Sequence, residues 1–386
     1  MRCFDRATGA RVNPRKSKAL AIGRWNTHET VLGTEYHTTV KILGVTFRST
    51  LEQSMHASWS EITEKVRMQA KNAYARVLCL AHRVLCVNIC LSAKIWYTAQ
   101  IFPTPNLYTR QIEIAITWYI WQGAIFRVQV STLRRQKKQG EWDLTDIEAK
   151  CRALLLRRMW MESMRVETAT TSWLKRWKLT GQQANPPHAT RILNKLAYLQ
   201  KYAFDMAYVT PPGRDEAPNT FKRRLYCTLH TMAVAERGAQ EIRVIQSQPT
   251  ANWSRVWRNL HTAWITEQMK STWFIVIHNI IPANERLAAI RLTDTNRCRQ
   301  CGRTDTHQHL ITECNEGANI WKWTRARLAI LLRMDPRHVP AEWTIRPHFF
   351  FCPPPQRQRA IIWIITHLVW YPIQNQRQMS LIDYID

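Results

Sequence analysis

Within seventeen residues, from Cys298 to Cys314, the chain collects Cys298, Cys301, His307, His309 and Cys314. Two thiols separated by two residues form half of a tetrahedral clamp. A downstream imidazole and a third thiol can supply the rest, because zinc takes Cys₃His as one of its structural ligand sets. Gly302 directly follows the second Cys and suits the tight turn such a clamp needs, since Gly accepts positive φ at little cost. The chemistry implied is a closed structural zinc knuckle. Only one of His307 and His309 can close the fourth position, and residue types alone do not choose between them.

Charge bounds the partner. Lys and Arg number 55 against 28 Asp and Glu, a net +27 with a pI near 10.2. A polyanion is the ordinary partner of such a chain, and nucleic acid the ordinary polyanion. No polybasic block sits beside an amphipathic anchor or lipidation signal, and the apolar run Ala360–Tyr371 is too short to span a bilayer. The N-terminus does not read as a secretory signal. No membrane partner is therefore expected. Ten scattered Cys point to reduced thiols in an intracellular protein, and a nuclear location is expected.

The elements that must position these residues are mostly helical. Lys18–Ile22 reads as a short buried strand, and Thr38–Leu43 running into Gly44–Phe47 as a strand pair. Met55, Trp59, Ile62, Val66, Ala70, Ala73, Val77 and Leu80 recur at steps of three and four, one face of a long helix. Further helices are expected over Asn88–Gln100 and Tyr108–Trp121, and near 188–208, 220–237 and 253–268. Cys79, Cys86 and Cys90 are expected as core thiols on helices. The run Arg134-Arg135-Gln136-Lys137-Lys138 precedes Gly140 and reads as a basic loop, either solvated or in contact with phosphate. Asp143–Asp146 then offers a helix N-cap, with the helix running on through Ala149, Leu154, Leu155 and Met159. Residues 165–185 and 210–219 read as linkers.

The Cys/His segment resembles the zinc-binding module of LINE-type (non-LTR) retrotransposon reverse transcriptases, C-x₂-C-x₇-H-x₄-C. That spacing selects His309, so the resemblance gives Cys298, Cys301, His309 and Cys314 as ligands. Ile320-Trp321 and Trp323 after the last Cys, and the approach Trp273–Asn279, also resemble the family. Asn13, Lys16 and Ser17 in "GARVNPRKSKALAIG" look like the fourth palm motif, and Leu43, Gly44 and Val45 in "VKILGVTF" like the primer-grip hairpin. One departure is Glu141, which stands where the family commonly has a second Gly.

The resemblance implies a mainly α fold with a small β fragment of a polymerase palm at the N-terminus, a helical thumb and connector, and a C-terminal zinc knuckle. It divides the chain into 1–50 (partial palm), 51–165 (thumb and basic connector), 166–268 (helical linker region), 269–325 (zinc-binding module) and 326–386 (helical tail). RNA and DNA are the implied partners, with an upstream palm or other retrotransposon proteins beside them. Lys16, Lys18, Arg134, Arg135, Lys137 and Lys138 are the expected nucleic-acid contacts. Two-metal phosphoryl transfer needs paired carboxylates, yet no Asp-Asp pair occurs in the sequence. The chain alone is therefore expected not to polymerise, and Mg²⁺ would matter only with a complete palm. A polymerase subunit completed by a separate palm and a zinc-dependent protein-interaction module are the alternatives.

Overall fold

The computed structural model describes residues 13, 16–21, 34–72, 78–122, 128–139, 141–163, 216–236, 252–262, 266–278, 280, 283–306, 309, 313–314 and scattered positions between 319 and 338. The structure is mostly helical with one two-stranded sheet among these residues. The helices expected near 188–208 and in the C-terminal tail lie outside them. Among the described residues, no helix is long and apolar enough to cross a membrane. The chain forms two compact units from interleaved stretches. One comprises Met1–Asn72, Cys90–Ile116 and Asp146–Glu236, and the other Ala73–Ile89, Thr117–Thr145 and Arg237–Asp386.

In the first unit, β1 (Thr39–Ile42) and β2 (Val45–Arg48) pair antiparallel, with Ile42 opposite Val45. Leu43 and Gly44 connect them, both at positive φ (49° and 86°). That is the two-residue turn whose twist matches a hairpin, and Gly is the residue that adopts it freely. The free edge of β2 is closed by α1 (Leu51–Asn72) rather than by a third strand. Ser58 Oγ accepts the Thr46 N–H at 3.1 Å and Ser54 Oγ accepts the Arg48 N–H at 2.8 Å. Serines four apart lie one above the other on a helix, so they meet alternate N–H groups of the strand. Met55, Trp59, Ile62, Val66 and Ala70 are buried along α1, as their spacing predicts. The Trp59 indole N–H donates to the Pro103 carbonyl at 2.8 Å. Lys41 and Lys65 both reach Glu61 and hold its carboxyl down at about 2.

The stretch expected as one long helix through Leu80 is described as α1 up to Asn72 and as α2 (Leu80–Cys86), with residues 73–77 outside the described set. The expected helix 88–100 is likewise divided into a π-helical turn at Val87–Leu91 and α3 (Ala93–Ala99). Non-local bonds override local periodicity at this turn, since Asn88 donates to the Asp143 carbonyl and accepts the Thr145 N–H. Cys79 and Cys86 are half-buried and Cys90 is exposed, so the three thiols are not the core group their helical setting suggests. Lys18–Ile22 likewise forms no strand where described, only a parallel bridge from Ala19 to Tyr36.

After α4 (Asn106–Trp121), the short α5 (Val130–Leu133) leads to α6 (Ile147–Ser163). Asp146 caps α6, its Oδ1 accepting the Ala149 N–H at 3.1 Å. α7 (Pro218–Glu236) packs on α6, where Ala149, Ala153 and Leu156 meet Phe221, Leu225 and Leu229. The two alanines let the backbones approach. Each fully buried Leu or Phe stabilises by roughly 1.5–3 kcal/mol.

In the second unit the stretch 253–268, expected as one helix, is α8 (Trp253–Thr262) and then α9 (Glu267–Ile277). Trp253, Val256, Trp257 and Leu260 repeat at helical spacing and are all buried. Ser271 Oγ on α9 accepts the Ala81 N–H at 3.2 Å, one of the unpaired donors in the first turn of α2. α10 (Asn284–Ala289) carries the chain into the Cys/His segment.

Candidate metal centre

Asp305 organises the approach. Its fully buried carboxylate accepts the Asn284 N–H at 2.9 Å at the start of α10, and its own N–H donates to the Asn296 carbonyl at 2.8 Å. Arg297 and Thr304 form an antiparallel bridge that closes the ends of the intervening turn. Within that turn Cys298 N–H donates to Arg303 O at 2.7 Å and Gly302 N–H to Cys298 O at 2.9 Å. Gly302 sits at φ +72°, the left-handed conformation its lack of a Cβ permits. The turn thereby carries Cys298 and Cys301 on one short segment.

The second pair comes from His309 and Cys314. Thr306 Oγ1 accepts the His309 N–H at 2.9 Å, and Cys314 N–H donates to the His309 carbonyl at 2.8 Å. The ligand atoms of Cys298, Cys301, His309 and Cys314 all lie within 4.8 Å of one another. Cys298 Sγ stands 3.8 Å from Cys314 Sγ, and Cys301 Sγ stands 3.2 Å from His309 Nε2. Tetrahedral zinc with bonds of about 2.3 Å to sulfur separates two sulfurs by about 3.8 Å, so the donor set fits this ion. Four protein ligands leave no open position. The zinc is structural.

Electrostatics favour metal binding. Burial pushes the Cys298 thiol up, but the Gln300 and Cys301 N–H groups, His309 and Cys314 pull it down further, to about 7 against an ordinary 9.0. Thiolate is the form zinc binds. With Nε2 toward the thiols, His309 Nδ1 faces Glu313 Oε2 at 3.7 Å. At that distance the carboxylate acts on the imidazole through its charge rather than through a hydrogen bond. His309 is fully buried, and Cys298 and Cys314 nearly so. His307 lies outside the described residues.

Sequence reasoning missed Asp305, Thr306 and Glu313. Thr306 had a signal, since a hydroxyl three residues before His309 is a capping pattern. Asp305 had none, because its partner at Asn284 is set by tertiary structure.

The residues expected to contact nucleic acid differ in exposure. Lys16 and Lys18 are exposed. Arg134 is buried, 5% exposed, so the run is not a wholly solvated loop. The chain folds back there: Asp143 N–H donates to Arg135 O at 3.1 Å and Leu144 N–H to Leu133 O at 3.0 Å. Arg135 is half-buried. Lys137 is exposed on a 3₁₀ turn (Lys137–Gln139) that packs on α8, and the Lys138 side chain lies outside the described set.

Glu141 and Trp142, just after the run, turn inward. Glu141 is fully buried, 3.4 Å from His278 Nε2 at the end of α9. The His278 ring stacks on Trp257 at 5.6 Å and lies 4.2 Å from Phe274. Burial pushes the Glu141 carboxyl above its ordinary value, and His278 and Arg135 pull it back only in part.

Residues 241–321 match the family model described as zinc-binding in reverse transcriptase. That stretch contains all four ligands and makes the segment a reverse-transcriptase-related zinc module. No curated protein matches the chain at a significant level.

Proposed function

We propose that this chain is the C-terminal region of a LINE-type reverse transcriptase that binds RNA and DNA through its basic surface, with zinc holding the knuckle's shape. The observation that carries the reading is the closed Cys298–Cys301–His309–Cys314 cluster, seated inside a stretch that matches a reverse-transcriptase zinc module. The net charge of +27 supports a polyanion partner. The hairpin turning at Leu43-Gly44, followed by α1, is compatible with the primer-grip and thumb that the resemblance implies. An upstream palm is the natural protein partner, and the nucleus, where genomic DNA lies, the natural location. A fluorescent fusion excluded from nuclei would overturn the latter.

Binding is tested by titrating the zinc-loaded chain against RNA, single-stranded DNA and an RNA–DNA hybrid at several salt concentrations. Affinity should fall steeply with salt for each, as counterion release requires. Loss of all binding near physiological salt would defeat the reading. These 386 residues contain no Asp-Asp pair, so they should not extend a primer on an RNA template with Mg²⁺ or Mn²⁺. Template-dependent extension by the purified chain would refute that part outright.

A further inference from the structure

The turn that carries two zinc ligands also lines a cleft. Among the described residues, this cleft of about 600 Å³ is lined by Arg297, Gly302, Arg303, Thr304, Thr306 and Glu313. Arg297 and Thr304 are antiparallel bridge partners, so their side chains share one face. The Arg297 guanidinium makes one long bond, to the Gly302 carbonyl at 3.4 Å. Arg303 is exposed, and among the described residues its guanidinium has no hydrogen bond or ion pair. The Thr306 hydroxyl accepts the His309 N–H and keeps its own proton to donate. Donors thus line a cleft beside a backbone held by the zinc turn, with one carboxylate, Glu313, among them.

We infer that this cleft holds a phosphodiester of a single-stranded nucleic acid, with Arg297 and Arg303 on the phosphate oxygens. The inference rests on the nucleic-acid reading above and gives it a specific subsite. Guanidinium forks match phosphate oxygens in geometry as well as charge. Glu313 would repel a phosphate, so the phosphate is placed on the arginines rather than beside that carboxylate. The Glu313 carboxylate, itself against His309 Nδ1, then accepts from a hydroxyl or amine of the attached nucleotide. A splayed single strand can present both groups to one cleft, whereas a stacked duplex turns its base edges inward.

The test uses the full zinc-loaded chain and labelled single-stranded oligonucleotide, titrated at several salt concentrations. Arg297→Ala with Arg303→Ala should weaken binding about tenfold at low salt and flatten the log–log salt slope by roughly 1.4, at about 0.7 per contact. Zinc content should be unchanged. If the double variant loses zinc, Arg303→Ala alone carries the test, with a slope loss of roughly 0.7. An unaltered slope in zinc-loaded variants, with wild-type binding intact, overturns the cleft and leaves the nucleic-acid reading standing. No binding by wild type overturns both. An equal loss on duplex and on single strands overturns the single-strand assignment.

Discussion

The zinc knuckle and the basic connector are both marked in the sequence by dense runs of functional side chains, yet folding treats them differently. In the knuckle, the ligands sit close in sequence and their geometry is fixed by bonds within the segment, from Cys298 N–H to Arg303 O and from Cys314 N–H to His309 O. In the connector, exposure is decided by residues far away. Arg134 is buried, Glu141 is closed over by His278, and Trp142 lies against Phe274 and His261. A site built by local bonds can be read from spacing. A surface left over after packing cannot.

The largest effect should therefore come from breaking the local site. Structural zinc contributes about 10 kcal/mol or more of apparent binding free energy in small modules. Purified chain should carry one zinc by elemental analysis. His309→Ala should lose it far more readily than His307→Ala, and protection of the Gly302 and Cys314 amides from hydrogen exchange should collapse with it. Equal effects of the two His changes would remove His309 as the ligand.

The connector should fail by a different route. His278→Ala removes the ring that packs on Trp257 and Phe274 and the group that draws the Glu141 carboxyl part of the way back down, so it should lower the denaturation midpoint. The pH dependence has a definite sign. Glu141 has a folded pKa raised above its ordinary 4.5, so its contribution to stability is fully present below that value and is lost as pH rises through the folded pKa. Glu141→Gln should abolish this loss. Exchange of the Leu144 amide, bonded to Leu133 O, reads the fold-back locally across pH. Wild type and Glu141→Gln giving parallel pH profiles would show that the carboxyl is not the cause. Neither variant should change zinc content.

The same division runs through the rest of the fold. The buried face of α1 was legible because Met55, Trp59, Ile62, Val66 and Ala70 are spaced by the helix itself. The α6 N-cap was legible because Asp146 bonds three residues on, to the Ala149 N–H. The wide turn at Val87–Leu91 was not, since Asn88 is recruited by the distant residues 143 and 145. Glu141 is the instructive case. It reads in the sequence as a departure at a turn glycine, whereas its buried position opposite His278 depends on α9, more than a hundred residues later.

The smallest effect on stability, and the finest test of the comparison, concerns the charges of the connector that remain outward. Arg134 is 5% exposed as a residue, so its burial predicts a larger part in packing than in binding. Lys137 is exposed on its 3₁₀ turn, and Lys138 shares that turn. Replacing Lys137 with Ala should change stability by under about 0.5 kcal/mol, since substitutions of exposed side chains seldom do more. If the turn touches phosphate, this single change should flatten the log–log salt slope of nucleic-acid binding by roughly 0.7–0.9. Arg134→Ala should behave in the opposite way, lowering the denaturation midpoint while the slope of the folded fraction stays as in wild type. Measuring both variants side by side separates charge that binds from charge that packs. A flattened slope in Arg134→Ala with an undisturbed midpoint would reverse the assignment and return the buried arginine to the binding surface.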